Sequence, residues 1–160
     1  MKPGMTVLEP GCGMGYFSLP LARLAGPDGQ VICVDVQPRM IEGLRRRARR
    51  AGLLDRIETV VCTSGDLGLS SFRGRIDLAV AIHTVHEVDD SRGFLEQIAA
   101  ALRPGGTLLV LEPRGHVSRE AFETTLGTAA EVGLVEKQRP AARQKLAALL
   151  VKEARSAPAI

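Results

Sequence analysis

The sequence predicts an α/β protein: a doubly wound, mostly parallel sheet with helices on both faces, closed at its end by an antiparallel hairpin. Three observations predict it. Apolar runs of strand length alternate with amphipathic stretches of helical length along the chain. Val31-Ile32-Cys33-Val34 and Leu78-Ala79-Val80-Ala81-Ile82 are apolar without interruption, as a strand buried on both faces requires. The last two strands are joined by a link too short for a parallel crossover.

Strand one covers about 5–9 and runs into Glu9-Pro10-Gly11-Cys12-Gly13-Met14-Gly15. A helix over about 15–25 follows, stopped by Gly26-Pro27-Asp28-Gly29. Strand two is Gln30 to Asp35, and a helix from Pro38 to Ala51 ends at Gly52. Strand three is Ile57 to Cys62, before the polar turn Thr63-Ser64-Gly65-Asp66-Leu67. Strand four is Ile76 to Ile82, and its exit reads His83-Thr84-Val85-His86-Glu87. Asp89, Asp90 and Ser91 offer an N-cap for a helix whose Phe94, Leu95, Ile98, Ala99 and Leu102 keep helical spacing. Leu102 to Glu112 reads as a helix end, a tight Pro104-Gly105-Gly106 turn and buried strand five. A helix from Ser118 to Glu131 stops at Gly133, and the hairpin pairs Leu134–Gln138 with Gln144–Val151. One domain over 1–152 and a frayed tail over 153–160 are expected.

Composition narrows the function classes. The 160 residues carry a net charge of +3, 45% apolar and 24% charged residues, ordinary for a globular domain. No run approaches the ~18 apolar residues of a membrane span, and no signal-peptide pattern opens the chain; a cytoplasmic protein with no membrane partner is expected. Arg45, Arg46, Arg47, Arg49 and Arg50 fall opposite the Ile41, Leu44 and Ala48 stripe, so they form a solvated helix face. Aromatic residues are 3% with no Trp, leaving few stacking platforms for bases, and no nucleic-acid partner is expected. Cys12, Cys33 and Cys62 are an odd set with no C-x-x-C pair and read as buried, reduced thiols rather than a disulfide or metal ligands.

The glycine loop is the functional centre. Strand, glycines and helix in that order let a ligand lie against bare backbone, beside unpaired N–H groups and the positive end of the helix dipole. A dinucleotide fingerprint needs a small residue three places after Gly13, where this chain has Tyr16. Asp35 follows Gly15 by the interval at which nucleotide folds present an acid to ribose hydroxyls, and a carboxylate can accept hydrogen bonds from both.

The stretch ending Glu9-x-Gly11-x-Gly13-x-Gly15 resembles motif I of the class I S-adenosylmethionine-dependent methyltransferases, and Leu102-x-Pro104-Gly105-Gly106 resembles the turn before their strand five. The resemblance spans 3 to about 152, as a small single-domain member lacking N-terminal cap helices. It implies a Rossmann-like sheet of order 3-2-1-4-5-7-6 with strand 7 antiparallel, and S-adenosylmethionine as cofactor with S-adenosylhomocysteine as product. It implies that Glu9 and the loop Gly11, Cys12, Gly13 and Gly15, with Tyr16 and Phe17, hold the methionine end. Asp35 would hold the ribose. Val36, Gln37 and Met40 would lie near the adenine with Gly65, Asp66 and Leu67, and Ile82 and His83 would line the cleft. The Asn/Asp-Pro-Pro-aromatic stretch of amide- and base-nitrogen methyltransferases is replaced by Ile82-His83-Thr84-Val85, so a small-molecule acceptor is expected.

A base is needed only where the acceptor must lose a proton. All three histidines fall after strands four and five, and His83, His116 and Glu112 are the catalytic candidates, with His86 and Glu87 beside them. A metal held by this group is a weaker reading, because a strand-end loop does not fix ligands at i and i+3. Two rival functions remain: a subunit that binds cofactor without transfer, and a nicotinamide oxidoreductase, which Tyr16 and the hairpin disfavour. Met1-Lys2-Pro3-Gly4 leads straight into strand one. The cleft is therefore either covered by a second copy, a partner chain or a large substrate, or left open and slow.

Overall fold

The computed structural model describes residues 1–141 and 145–153. The expected strand start at Gln144 and the tail from 154 onward lie outside these. Among the described residues seven strands form one sheet: β1 Thr6–Pro10, β2 Gln30–Asp35, β3 Ile57–Val61, β4 Ile76–Ile82, β5 Leu102–Pro113, β6 Leu134–Gln138 and β7 Lys145–Lys152. Their order is β3-β2-β1-β4-β5-β7-β6. The β1–β2, β2–β3, β1–β4 and β4–β5 pairs are parallel, while β7 runs antiparallel to both β5 and β6.

Alternation along the central strands divides the core in two. Val7, Val31 and Cys33 point to one face, where Leu19 and Ala22 of α1 (Ser18–Ala25) and Ile41, Leu44 and Ala48 of α2 (Pro38–Arg50) cover them. Leu8, Ile32 and Val34 point to the other, under α3 (Ser91–Ala101) and α4 (Arg119–Glu131), whose Leu95, Ile98 and Phe122 are buried. Each fully buried Leu, Ile or Phe contributes about 1.5–3 kcal/mol relative to exposure, so both faces are needed to order the sheet. The arginines of α2 are exposed, as the apolar stripe requires. Asp90 caps α3 by accepting the Gly93 N–H at 2.9 Å, and Ser118 caps α4 by accepting the Ala121 N–H at 3.0 Å.

Besides shifts of one residue at other element ends, three boundary differences bear on the loops around the sheet. Helix α1 begins at Ser18 rather than 15, because Gly11, Gly13 and Gly15 all have positive φ and the chain is still turning through them. Strand β3 ends at Val61, leaving Cys62 half-buried instead of buried. Residues 102–106 count as part of β5, with a register shift between Ile76 and Leu78 where the turn meets β4. Asp77 lies in that irregularity: its Oδ2 accepts the Thr6 N–H at 2.9 Å and its Oδ1 accepts Arg103 Nε at 2.7 Å. One carboxylate thus ties the amino ends of β1 and β4 to the β5 turn.

Strand β1 has β2 on one side and β4 on the other, and the chain leaves these central strands in opposite directions. Crevices of open α/β sheets form at the carboxyl ends of strands at such a switch point.

Candidate active site

A cleft of about 370 Å³ opens there. Gly11 and Gly13 form one wall, Asp35, Val36, Gln37 and Met40 the second, and Leu67 the third. Residues not singled out as cofactor contacts complete it: Cys62, Thr63 and Ser64 after β3, and Thr84, Glu87, Val88, Asp89 and Phe94 between β4 and α3. Their only sequence signal was position, just past the carboxyl ends of β3 and β4.

Hydrogen bonds to Asp35 set the shape of the loop. Asp35 is 8% exposed; its Oδ2 accepts the Gly13 N–H and its Oδ1 the Gln37 N–H, each at 2.9 Å. A carboxylate has about four acceptor sites, so two bonds remain available toward the cleft. The loop also hangs from β2, with the Gly11 and Cys12 N–H groups donating to Val34 O at 2.8 and 3.1 Å.

The three glycines differ in what excludes a side chain: a Cβ on Gly11 would lie 2.8 Å from the Thr84 side chain. A Cβ on Gly13 would meet nothing within 4 Å and would stand in open space. One on Gly15 would lie 2.2 Å from Leu44 Cδ1 in the fully buried core. Gly13 therefore leaves room for a ligand, and Gly15 lets α2 pack against the loop.

Several residues expected at the cofactor lie behind or beside this wall. Glu9, 3% exposed, sits beneath the loop, where the Ser18 hydroxyl donates to its Oε2. Burial pushes its pKa up to about 7, offset in part by the Ser18 bond. Cys12 is buried, and a hydrogen bond with Cys33, then burial, raises its thiol pKa, so it is an inert packing group. Tyr16 points outward, 74% exposed, with Phe17 edge-on at 4.9 Å between ring centres. Gly65 and Asp66 are not among the residues lining the cleft; Asp66 Oδ1 accepts the Gly68 N–H at 2.8 Å, and Asp66 lines a separate hollow against α3. Ile82 ends β4 and His83 follows it, neither lining the cleft, whereas Thr84 does line it and its hydroxyl bonds Ile82 O and Pro10 O.

The catalytic candidates form one cluster at the carboxyl ends of β4 and β5. Glu112 is 2% exposed; its Oε1 accepts the Val85 N–H at 2.9 Å and its Oε2 holds His86 Nδ1. That leaves His86 Nε2 as the free ring nitrogen. His116 is exposed, its ring 6.0 Å from that of His86. His83 carries a positive φ of 55°, uncommon without glycine and costing roughly 1–3 kcal/mol, and its N–H bonds Leu111 O at 2.7 Å. Its Nε2 is enclosed without a hydrogen-bond partner among the described residues. Burial, then the Lys145 ammonium, lowers its pKa, so the ring is neutral at pH 7. Among the described residues no three His, Cys, Asp or Glu side chains gather as a metal site, and no helix is long and apolar enough to cross a membrane.

Comparison with known proteins bears on this geometry. A family described as a methyltransferase domain matches residues 1–153. The chain is 36% identical over 107 residues to a ubiquinone biosynthesis O-methyltransferase of Methylocella silvestris, covering 66% of this chain and 38% of that protein. It is 34% identical over 113 residues to the ubiquinone/menaquinone biosynthesis C-methyltransferase UbiE of Bordetella parapertussis, covering 70% and 42%. The chain thus spans about two fifths of these relatives' length. In fold it is similar to a SAM-dependent methyltransferase from Aquifex aeolicus, with a TM-score of 0.83 at 22% identity, covering 94% of this chain and 84% of that one. It is also similar to the structure of a Haloferax volcanii putative methyltransferase in complex with the Trm112 activator, with a TM-score of 0.77 at 17% identity over 96% and 85%. With its sheet order, its glycine loop braced by an acid on β2 and a family match along nearly its whole length, the chain belongs to the methyltransferase domain family.

Proposed function

We propose that this domain binds S-adenosylmethionine and transfers its methyl group to a small-molecule acceptor. The observation that carries the reading is the Asp35–Gly13 bond: it holds a glycine-rich loop beside a carboxylate that still has two acceptor sites, a cradle for an amino-acid group on one side and a ribose on the other. Gly11 and Gly13 would face the methionine part, Asp35 the ribose hydroxyls, and Val36, Met40 and Leu67 the adenine faces. Bound there, the cofactor supplies a methyl group already activated as a sulfonium.

The chain's own residues then orient the acceptor and keep water out, and positioning alone can supply ~7–11 kcal/mol. His86, fixed by Glu112, offers Nε2 for a proton, and neutral His83 offers a second imidazole nitrogen. The relatives' names, an O- and a C-methyltransferase of quinone biosynthesis, support an acceptor whose nucleophile is a hydroxyl or an activated carbon. Met14, Tyr16 and Val36 leave apolar surface at the loop rim, which supports a covering chain, as an activator accompanies the Haloferax relative.

Calorimetry with S-adenosylhomocysteine and NAD tests the cofactor. Micromolar binding of the first and none of the second is expected, and the reverse order ends the proposal. Binding with no turnover on any hydroxyl or carbon acceptor would make the domain a silent subunit. Light scattering with and without S-adenosylhomocysteine tests the cover; a strict monomer with full turnover removes it.

A further inference from the structure

The wall formed by residues 62–67 has no regular structure, yet it must present a fixed edge to any base lying in the cleft. Its internal bonds are few: Thr63 N–H to Asp66 O at 3.0 Å, Asp66 N–H to Thr63 Oγ1 at 3.1 Å, and Gly68 N–H to Asp66 Oδ1 at 2.8 Å. Beyond Cys62, whose N–H bonds Asp35 O at 3.0 Å, hydrogen bonding from outside the loop comes, among the described residues, from the side chain of Gln97 on α3. Its Oε1 accepts the Leu67 N–H at 2.8 Å, and its Nε2 donates to Gly65 O at 3.1 Å. The same Nε2 donates to Gly93 O at 3.2 Å, which fixes the amide on its own helix.

Only one orientation of that amide satisfies all three bonds, since a flip would set NH₂ against an N–H and oxygen against two carbonyls. Gln97 therefore grips the loop on both sides of Asp66, while the Ser64 and Gly65 N–H groups have no protein acceptor among the described residues. Gln97 itself does not line the cleft. We infer that Gln97 is a positioning residue that holds the 63–67 backbone in register with the base edge, and so sets selectivity for adenine over hypoxanthine. The inference rests on the cofactor reading above. Without Gln97 the loop keeps its Leu67 anchor in the core but loses the fixed orientation of its polar edge, so adenine loses its advantage before the domain loses its fold.

The test compares binding of S-adenosylhomocysteine and S-inosylhomocysteine by calorimetry, with melting temperature measured alongside. The intact chain should prefer the adenine ligand by about tenfold, the worth of one hydrogen-bond mismatch. Gln97→Ala should bring the two affinities within about threefold while melting within a few degrees of the parent. Gln97→Glu keeps the acceptor for Leu67 and loses the donor for Gly65, and should also erode the preference, so the question stays decidable if the alanine variant fails to fold. An unchanged preference in the folded variants, or no preference in the parent, overturns the inference while leaving the cofactor reading intact. Failure of the parent to bind either ligand overturns both.

Discussion

On the β1–β2 side of the cleft the polar side chains are already fixed in place by the protein's own hydrogen bonds. Asp35 holds Gly13 and Gln37, Glu9 is capped by Ser18, and Arg47 reaches across to Met14 O at 2.9 Å. On the β4–β5 side His83 keeps a left-handed backbone and an enclosed nitrogen without a partner, and His116 stands in solvent. The first side is held rigid before any ligand arrives, with the remaining Asp35 acceptor sites open to it, which suits a ligand that never changes. The second retains unused hydrogen-bonding capacity and local strain, which suits the part of the reaction that differs from one acceptor to another. Between them Glu112 belongs to both kinds: it is buried and doubly bonded, but the group it holds has a free end.

This contrast can be broken most sharply at the glycines. Gly15→Ala forces Leu44 out of a full core at a backbone with positive φ, and a loss of roughly 3 kcal/mol or more is expected from overpacking and the αL penalty together. Gly13→Ala, with open space before it but a left-handed backbone of φ 53°, should lose only the αL penalty of about 1–2 kcal/mol and bind S-adenosylhomocysteine at least tenfold more weakly. Equal melting temperatures for the two would show that the glycines are not divided in this way.

Glu9 gives the next effect. Its folded-state pKa of about 7 lies above the ordinary 4.5, so between those values the folded chain keeps a proton that the unfolded chain has released. Its contribution is complete below pH 4.5 and drains away as pH rises through 7, by about 2–3 kcal/mol. Urea unfolding at pH 5 and pH 8 should show this decline, and Glu9→Gln should flatten it. A parent as stable at pH 8 as at pH 5 would place Glu9 in water.

Asp35→Ala should cost ~1.5–3 kcal/mol for each ribose bond lost, about tenfold or more in S-adenosylhomocysteine affinity by calorimetry. Normal binding would remove Asp35 from the cofactor side. The smallest effects lie across the cleft. His86→Ala leaves buried Glu112 without one partner and should destabilise by about 1–3 kcal/mol. His116→Ala, at an exposed position, should change stability by under ~0.5 kcal/mol. Thermal melts of both variants measure the difference, and equal shifts would mean that the His86–Glu112 bond carries no weight.

What could be read from the residues follows the same division. The fold class and the closing hairpin were legible because uninterrupted apolar runs alternate with helical stretches and the final link is short. The sheet order came only with the resemblance to class I methyltransferases. Asp35 was legible because its distance from the glycines is set by one strand–helix–strand unit. The start of α1 was not, since an apolar run of helical spacing does not reveal how many residues three left-handed glycines consume before Ser18. Glu9 is placed at the cofactor by the resemblance alone; its burial and its bond to Ser18 could not be read from the strand. Thr84 gave only its position past β4, and Gln97 gave no signal: each acts through a bond to a backbone group far along the chain, Pro10 O 74 residues away for Thr84 and Gly65 O 32 residues away for Gln97.

The Asp77 clamp has a consequence for how the molecule is assembled. It joins Thr6 to a residue 71 positions later and to Arg103, 26 beyond that. A chain emerging from its amino end has made β1, β2 and β3 while β1, an interior strand of the finished sheet, is still an edge with unpaired N–H and C=O groups. Closing so long a loop costs only slightly more than closing a short one, but the contact that rewards it arrives late. Half-synthesised, the domain is an open three-stranded sheet with its cleft missing one wall, and its most aggregation-prone edge is the strand that carries the glycine loop.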